Sequence, residues 1–366
     1  MDWKQLRDDL ISEARRAGWA SAGVTTAAPF ALARDRALQA ISEGRMEGME
    51  WYTPERVEAA CDLASRYSWA QSVVALAWPY RRAPPPPDLR AVAGRPRGRI
   101  SAYACLPEQG QAVDYHDLLA GQCAALLGWL GDRVPGVRAK RFIDHGWAMD
   151  RAVAERAGIG FAGKNACLIT TEAGSYVMLA EIVLSIPLPV TAPNNRGCGT
   201  CRRCIPACPT GAIKAPGVID ATRCISYLTI EHRGPIPFEL RPLIGTWAFG
   251  CDLCQEVCPI NTRLAADPLE AGTASIEAGP VPFPDLVACL EIDDEEFRRR
   301  FRHTALWRTG RAGLARNAAI ALGNAGDAGA TAALSVAAAT DPDEVVREAA
   351  RWAIDRLSTQ VATSPA

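Results

Sequence analysis

Residues 198–209 read CGTCRRCIPACP and residues 251–259 read CDLCQEVCP, with Cys224 alone between the two runs. Eight of the 13 cysteines of the chain lie in this stretch. The first run has the C-x2-C-x2-C-x3-C-P spacing of bacterial-type iron–sulfur sites, in which three thiolates on a tight loop bind one cubane and the fourth binds a neighbouring cluster. The spacing therefore predicts two 4Fe-4S clusters.

The same rule assigns the ligands of each cluster. Cys198, Cys201 and Cys204 need one further thiolate, and Cys258 supplies it because it also precedes a proline. The second cluster takes the four cysteines that remain, which are Cys208, Cys224, Cys251 and Cys254. This assignment uses all eight cysteines and leaves none over.

Two other interpretations of these cysteines, zinc sites and disulfides, are less favoured. Zinc also binds C-x2-C pairs, but zinc ribbons do not require a four-cysteine run that ends in Cys-Pro. Disulfides are disfavoured because nothing else in the sequence indicates an oxidising compartment. The remaining cysteines outside the stretch, apart from Cys105, are interpreted as core residues: Cys61, Cys123, Cys167 and Cys289.

Length and composition favour a globular protein of two or three domains. The chain has 366 residues, 49% of them hydrophobic, and its net charge is −1. This balance neither requires nor excludes a nucleic-acid partner, because such binding depends on local basic stripes. The N-terminus is polar and resembles no secretory signal, and the longest apolar run, 176–190, is broken by Glu181 and two prolines. We therefore expect a cytoplasmic protein with no membrane partner, and a monomer.

The periodicity predicts a multidomain chain of mixed α+β and α/β class. Residues 1–188 alternate helical and strand patterns, which indicates an α/β domain. Its apolar run Ser72–Trp78 predicts a central strand buried on both faces. Residues 189–268 form the ferredoxin-like domain with the two clusters, and residues 269–366 are alanine-rich and helical.

An internal repeat marks the last of these domains. The segment 316–322 aligns with 347–353 at a fixed offset, and Asp341-Pro342 begins the second unit. This pattern is typical of HEAT-like helical repeats. Two units bury too little surface to be stable alone, so we expect them to pack on the rest of the chain.

The segment 158–165, GIGFAGKN, matches G-x-G-x-x-G and approaches a phosphate-binding loop. Both nucleotide motifs require glycines that follow a strand and open a helix. Here the glycines follow a predicted helix, in which Asp150 is the expected cap, and Asn165 replaces the hydroxyl that would bind magnesium. We interpret the segment as a tight turn that presents Lys164 and Asn165 to another polar ligand.

Taken together, the motifs of the chain resemble those of the epoxyqueuosine reductase family over residues 1–357. The segments that carry the resemblance are the eight-cysteine order, Phe142-x-Asp144, Gly158–Asn165, Cys224–Glu231, Gly250–Cys254, Cys258-Pro259-x-Asn261 and Arg316-Asn317-x4-Leu322-Gly323-Asn324. The sequence departs from the family pattern at His145-Gly146 and at Ile260.

The resemblance implies a reaction and its cofactors. It implies two 4Fe-4S clusters and a cobalamin held by residues 1–188, which together remove the epoxide oxygen of epoxyqueuosine at the wobble position of tRNA. Deoxygenation takes two electrons and two protons, so an acid must lie at the reacting face, and Asp144 is the candidate. By position in the family pattern, the expected cobalamin contacts are Arg56, Cys105, Asp144, Lys164 and Asn165.

The expected partners are tRNA, through its anticodon stem-loop, and an external electron donor such as a flavodoxin or ferredoxin. The arginine-rich run 297–303 contains two phenylalanines, and Arg308, Arg311 and Arg316 follow it. Arginines with neighbouring aromatics suit an RNA backbone and splayed bases, although a solvated helix face gives the same pattern. The alternative functions are a cobalamin-dependent reductive dehalogenase, a ferredoxin-like carrier and a cobalamin chaperone.

Overall fold

A computed structural model describes residues 1–80, 95–105, 107–108, 111–264 and 280–363 of the chain. The proline-rich stretch 84–87 and the predicted domain boundary after residue 268 lie outside these ranges.

The first 188 residues contain nine strands and six helices in their described part. In chain order these elements are α1 (Trp3–Arg16), β1 (Ser21–Thr26), α2 (Ala31–Ser42), α3 (Pro54–Cys61), α4 (Leu63–Arg66), β2 (Ser72–Pro79), β3 (Arg99–Ile100), β4 (Pro107–Glu108), β5 (Gln111–Ala112), α5 (Tyr115–Arg133), β6 (Ala139–Phe142), α6 (Asp150–Arg156), β7 (Gly160–Ala162), β8 (Leu168–Thr170) and β9 (Val177–Leu184).

A four-stranded sheet with the order β1-β2-β9-β6 lies at the centre of this region. All three strand pairings in it are antiparallel. The alternation of helices and strands indicated an α/β domain, in which strands are mostly parallel, so for this sheet that expectation is wrong. Alternation along the chain does not fix strand direction, which depends on how each connection crosses the sheet.

Strand β2 is buried on both faces, as its apolar run predicted. Val74 and Leu76 face a core that contains residues of α1 and α5. Val73, Ala75 and Ala77 face a second core, formed with α2, α3 and α6. Because successive side chains of a strand point to opposite faces, one apolar run can fill both helical layers.

The cysteine-rich region is built from short elements joined by loops. Its described elements are α7 (Cys204–Ala207), β10 (Ile213–Ala215), β11 (Val218–Ile219), α8 (Ile225–Ile230), α9 (Arg241–Ile244), β12 (Trp247–Phe249), α10 (Leu253–Glu256) and α11 (Pro259–Arg263). Strand β12 pairs in parallel with β3 of the first region, so the two regions share a small sheet.

The C-terminal region is helical in its described part. Its helices are α12 (Leu286–Leu290), α13 (Asp294–Phe301), α14 (Gly310–Ala325), α15 (Thr331–Thr340) and α16 (Glu344–Thr363). The two repeat segments lie on α14 and α16, which pack closely, since a Cβ placed on Gly323 would lie 2.9 Å from Cα of Ala353. Throughout the described residues, every helix is too short or too polar to cross a lipid bilayer.

Buried polar side chains on α14 join the helical region to the cysteine-rich region. Arg316 donates to the carbonyls of Leu228, His232 and Gly234. Asn317 donates to those of Thr229 and Ala248, at 2.7 and 2.9 Å. The last carbonyls of a helix lack hydrogen-bond donors within the helix. The side chains of Arg316 and Asn317 on α14 supply such donors to the last carbonyls of α8. One hydrophobic core also runs from Leu6 to Leu357 through all three predicted domains.

Candidate active site

Asp144 lies in a tight turn directly after β6. Its backbone φ is 55°, and the amide of His145 donates to the carbonyl of Ile143 across it. Few residues other than glycine adopt a positive φ, and such residues are concentrated at functional sites. The turn leaves 61% of the Asp144 side chain exposed. The carboxyl therefore points outward, and it accepts a hydrogen bond from a tyrosine rather than from the turn backbone.

The first turn of α5 brings two side chains to this carboxyl. The hydroxyl of Tyr115 donates a short hydrogen bond to Oδ2 of Asp144. Nε2 of His116 lies 3.9 Å from the same oxygen. Burial, and then the charge of Asp144, raise the pKa of Tyr115. Tyr115 therefore remains a protonated donor at neutral pH.

Asp114 and Arg308 fix the orientation of the histidine. Asp114 caps α5 by accepting from the amide of His116, and its Oδ1 lies 2.8 Å from Nδ1 of His116. Nη2 of Arg308 lies 3.0 Å from Oδ2 of Asp114. Burial alone would raise the pKa of Asp114, but the bonds from His116 and the charge of Arg308 outweigh it and lower that pKa to about 2. Asp114 is thus a permanent anion behind His116.

Aromatic rings form a wall beside Tyr115. The ring of Tyr103 meets that of Tyr115 edge-on at 5.9 Å and lies 6.0 Å from that of Phe249. Cys105, an expected cobalamin contact, is buried two residues after Tyr103, and burial raises the pKa of its thiol. Cys105 is therefore a neutral thiol under this wall.

Arg56, another expected contact, is bonded to the turn that carries Asp144. Its Nη2 donates to the carbonyl of Gly146 at 2.8 Å. Its guanidinium lies 5.2 Å from the ring of Trp51 and 5.3 Å from that of Trp147. Gly146 has a φ of 138°, and a Cβ there would lie 2.6 Å from the ring of Phe142. The turn thus requires glycine at this departure from the family pattern.

His145 is the other residue of the pair His145-Gly146 at which the sequence departs from the family pattern. It adds an imidazole ring to the site. It lies 4.6 Å from the ring of His116. Two imidazoles therefore flank the carboxyl of Asp144.

Lys164 and Asn165 lie at the tip of the β7–β8 hairpin. Nζ of Lys164 donates to the carbonyl of Gly199 at 2.6 Å, and its amide lies 3.5 Å from Sγ of Cys198. The buried side-chain amide of Asn165 donates to the carbonyl of Cys254 at 3.4 Å. Both residues are bonded to the cysteine loops. Arg56 and Asp144 instead lie at the turn formed by residues 143–146.

The glycines before this hairpin lead into a strand. Gly158, with a φ of 74°, follows the end of α6, and β7 begins at Gly160. A nucleotide-binding loop would open a helix here, so the geometry agrees with the interpretation as a tight turn. Asp150 is the first residue of α6 and not its cap, which is Met149. That prediction of the cap was wrong: the helix begins one residue earlier than expected, and no side chain caps it.

The eight cysteines fall into two groups of four. Burial raises the pKa of the Cys204 thiol, and the neighbouring Cys198, Cys201 and Cys258 raise it further. Burial likewise raises the pKa of Cys224, with a contribution from Cys208. The pKa of Cys254 is raised by Cys167, burial, Cys251 and Cys224. Cysteines of each predicted set thus lie near one another, and the assignment of a cluster to each set stays a prediction. Cys167, interpreted as a core residue, lies against the second set.

Asp252 connects the second cysteine set to the aromatic wall. It is 2% exposed and lies between Cys251 and Cys254. Its Oδ1 accepts from the hydroxyl of Ser101 at 2.6 Å, and its Oδ2 accepts from the amide of Ala102 at 2.7 Å. The turn that follows carries Tyr103 and Cys105. The second set is therefore bonded directly to the segment that lines the Asp144 site.

The arginine-rich helix α13 differs from the expectation for an RNA surface. Phe297 and Phe301 are buried in the core, so they cannot stack on bases. Arg311 pairs with Asp341, and Arg316 is buried. The exposed aromatic here is Trp307, which is 44% exposed and stacks on Phe297 at 5.6 Å.

Sequence reasoning missed four residues of the site: Asp114, Tyr115, His116 and Arg308. The available signal was an N-cap aspartate followed by a tyrosine and a histidine at the start of a helix. Arg308 was assigned to RNA, whereas it binds Asp114.

Comparisons with known proteins agree with this geometry. The family model described as epoxyqueuosine reductase QueG matches residues 61–145, and that of a 4Fe-4S double cluster binding domain matches residues 197–261. The epoxyqueuosine reductase of Bacillus subtilis (strain 168) is 36% identical over 366 residues, or 98% of this chain and 89% of the relative. That of Escherichia coli (strain K12) is 40% identical over 228 residues, or 62% and 58%.

Solved structures match over nearly the whole chain. A selenomethionine-labelled epoxyqueuosine reductase matches with a TM-score of 0.86 and 36% identity over 97% of this chain and 91% of the other. An epoxyqueuosine reductase bound to an epoxyqueuosine-modified tRNA-Tyr stem loop matches with a TM-score of 0.85 and 34% identity over 100% and 96%. The resemblance found in the sequence motifs is confirmed: this chain belongs to the epoxyqueuosine reductase family.

Proposed function

We propose that the chain is an oxidoreductase that reduces epoxyqueuosine at the wobble position of tRNA to queuosine, with the epoxide oxygen leaving as water. Electrons pass through two 4Fe-4S clusters to a cobalamin. The observation that carries the proposal is the exposed carboxyl of Asp144, held by Tyr115 beside a segment that Asp252 bonds to the second cysteine set.

The residues around Asp144 fit a corrin by their chemistry. A corrin presents a broad, largely apolar face, and the wall of Tyr103 and Tyr115 offers rings beside the carboxyl. Cobalamin, when bound, supplies a low-potential reductant, while the protein supplies orientation and electrostatics. Its proposed contacts remain Arg56, Cys105, Asp144, Lys164 and Asn165.

Asp144 acts as the acid of the reaction. Breaking both carbon–oxygen bonds of the epoxide takes two electrons and two protons, and the departing oxygen needs a proton at the reacting face. Tyr115 and His116 hold the carboxyl there, while Asp114 and Arg308 keep His116 in place. An epoxyqueuosine reductase of Bacillus subtilis has been solved with its aspartate catalytic loop swung out of the active site. We assign the same mobility to the turn around Asp144, whose positive φ makes its closed form dependent on Tyr115.

The RNA contact lies on the helical region, whose paired helices have the arrangement of HEAT-like repeats. Arg298 and Arg302 are exposed on or beside α13, and Trp307 offers a ring next to them. Guanidinium groups neutralise phosphates, and an exposed indole stacks on a splayed base. The substrate is the anticodon stem-loop, the electron donor is an external protein, and the enzyme acts as a cytoplasmic monomer.

The substitution Asp144→Asn tests the acid. The variant keeps cluster and cobalamin absorption but loses conversion of epoxyqueuosine in a stem-loop substrate, followed by mass analysis of its nucleosides. Asp117→Asn, an exposed aspartate on the neighbouring helix α5, is the matched control and keeps full turnover. Normal turnover by Asp144→Asn removes the assignment.

A further inference from the structure

The loop that carries the first cysteine set lies at the surface of the protein. Gly199, Thr200, Arg202 and Arg203 are all exposed, and the two arginines stand between Cys201 and Cys204 in the sequence. The proposed ligands of the first cluster are therefore separated from solvent by a thin, positively charged loop. The second set is bonded inward, through Asp252, to the catalytic site.

Four exposed arginines surround this loop. They are Arg196, Arg202, Arg203 and Arg263. In the described part of the chain, no ion pair or hydrogen bond of their guanidinium groups is found, in contrast to Arg45, Arg99 and Arg308. The net charge of the whole chain is −1. The positive charge at the loop is therefore local and available to a partner.

A surface depression of about 530 Å³ lies beside these arginines. Arg203, Pro206 and Ala207 line it from the first cysteine run, and Glu256, Val257 and Thr262 line it from the second. Its acidic residue, Glu256, is ion-paired with Arg99. The depression thus joins both proposed cluster loops and keeps a positive rim.

We propose that this arginine rim, formed by Arg196, Arg202, Arg203 and Arg263 around the depression, is the docking surface for a small acidic protein that carries single electrons. The inference rests on the proposed function, because it takes the first cysteine set to hold a cluster. Electron transfer weakens steeply with distance, so a donor must touch the chain where a cluster lies nearest to solvent. Complementary charge raises the association rate of such partners about 10- to 1,000-fold.

Each encounter transfers one electron. The reduced carrier loses one electron, the first cluster gains it, and no bond or proton is exchanged. Two encounters supply the two electrons that one epoxide consumes. The second cysteine set, whose neighbour Asp252 is bonded to the segment of the aromatic wall, would hold the cluster that passes each electron on towards the Asp144 site.

The test measures cluster reduction directly by visible absorbance in a stopped-flow instrument, under anaerobic conditions. The variant is Arg202→Gln with Arg203→Gln, and the probe is a reduced flavodoxin, which is an acidic carrier. We expect the second-order rate constant at low salt to fall at least about tenfold, with a weaker dependence on ionic strength. Reduction by the methyl viologen radical, a small cation, proceeds at the wild-type rate or faster and shows that the clusters are intact.

Arg133→Gln with Arg351→Gln, two exposed arginines on α5 and α16, is the matched control and leaves the reduction rate unchanged. An unchanged flavodoxin rate in the Arg202/Arg203 variant, with full cluster absorption, overturns the docking surface alone. Weaker binding of the RNA stem-loop with normal reduction also overturns it and assigns the rim to RNA. Wild-type protein without iron–sulfur absorption removes the proposed function and this inference together.

Discussion

Tyr115→Phe tests how the turn that carries Asp144 is held in place. The substitution removes the hydroxyl that donates to Asp144 and keeps the ring against Tyr103. A hydrogen bond to a charged group contributes about 1.5–3 kcal/mol. A residue other than glycine in a sparsely populated backbone region costs on the order of 1–3 kcal/mol. The two energies are comparable, so the turn no longer favours its closed form once the bond is lost.

The expected result is a fall in kcat/KM of about 10- to 150-fold, because each 1.36 kcal/mol corresponds to about a factor of ten. The KM for the stem-loop changes little, since Tyr115 is buried and its hydroxyl donates to Asp144 rather than facing the RNA. Single-turnover conversion of the epoxyqueuosine stem-loop, with cobalamin absorption recorded in the same sample, separates loss of catalysis from loss of cofactor.

Tyr103→Phe is the matched control for this experiment. It removes a hydroxyl from the neighbouring ring of the same wall, and no hydrogen bond of that hydroxyl is found among the described residues. We expect turnover within about twofold of wild type, which is the range of a neutral substitution. If Tyr115→Phe also stays within that range, the tyrosine does not hold Asp144 and the reasoning fails.

Asn317→Ala removes two buried hydrogen bonds to Thr229 and Ala248 and leaves at least one carbonyl without a partner, so the free energy of unfolding falls by about 2–4 kcal/mol. The urea midpoint measures this fall, Asn195→Ala on the exposed surface is the control, and equal midpoints would contradict it. Asp150→Asn tests the pair of acids formed by Asp150 on α6 and Glu181 on β9. Burial raises the pKa of Asp150 to about 7, and burial together with the charge of Asp150 raises that of Glu181 well above its usual value. A raised pKa in the folded state contributes stability that is complete below about pH 4 and is lost as pH rises through about 7. The urea midpoint of wild type therefore falls more between about pH 5 and pH 8 than that of Asp150→Asn, whereas parallel curves would show that Asp150 ionises normally.

Several features could be predicted because they depend on local spacing. The apolar run Ser72–Trp78 predicted a strand buried on both faces, and it is one. The phenylalanines of α13 show where a local residue pattern was misinterpreted. Phe297 and Phe301 are four residues apart, a spacing that places them on one helix face, and that face is buried. The arginines beside them led us to predict an RNA contact.

The site around Asp144 could not be assembled from the sequence. Arg308 is 194 residues from Asp114 in the chain, and no periodicity connects them. The positive φ of Asp144 and the antiparallel direction of the sheet are equally invisible to residue patterns, because both depend on how distant segments pack.

The sequence by itself predicted two sets of cysteines and identified the family, because a thiolate ligand is defined by residue type and by short spacings that survive any packing. Only the tertiary structure decided that Tyr115, His116 and Arg308 surround Asp144, and that Asp252 bonds the second set to the same site. These contacts join residues far apart in the chain. Their geometry follows from the burial of one continuous core and not from any local preference of the backbone.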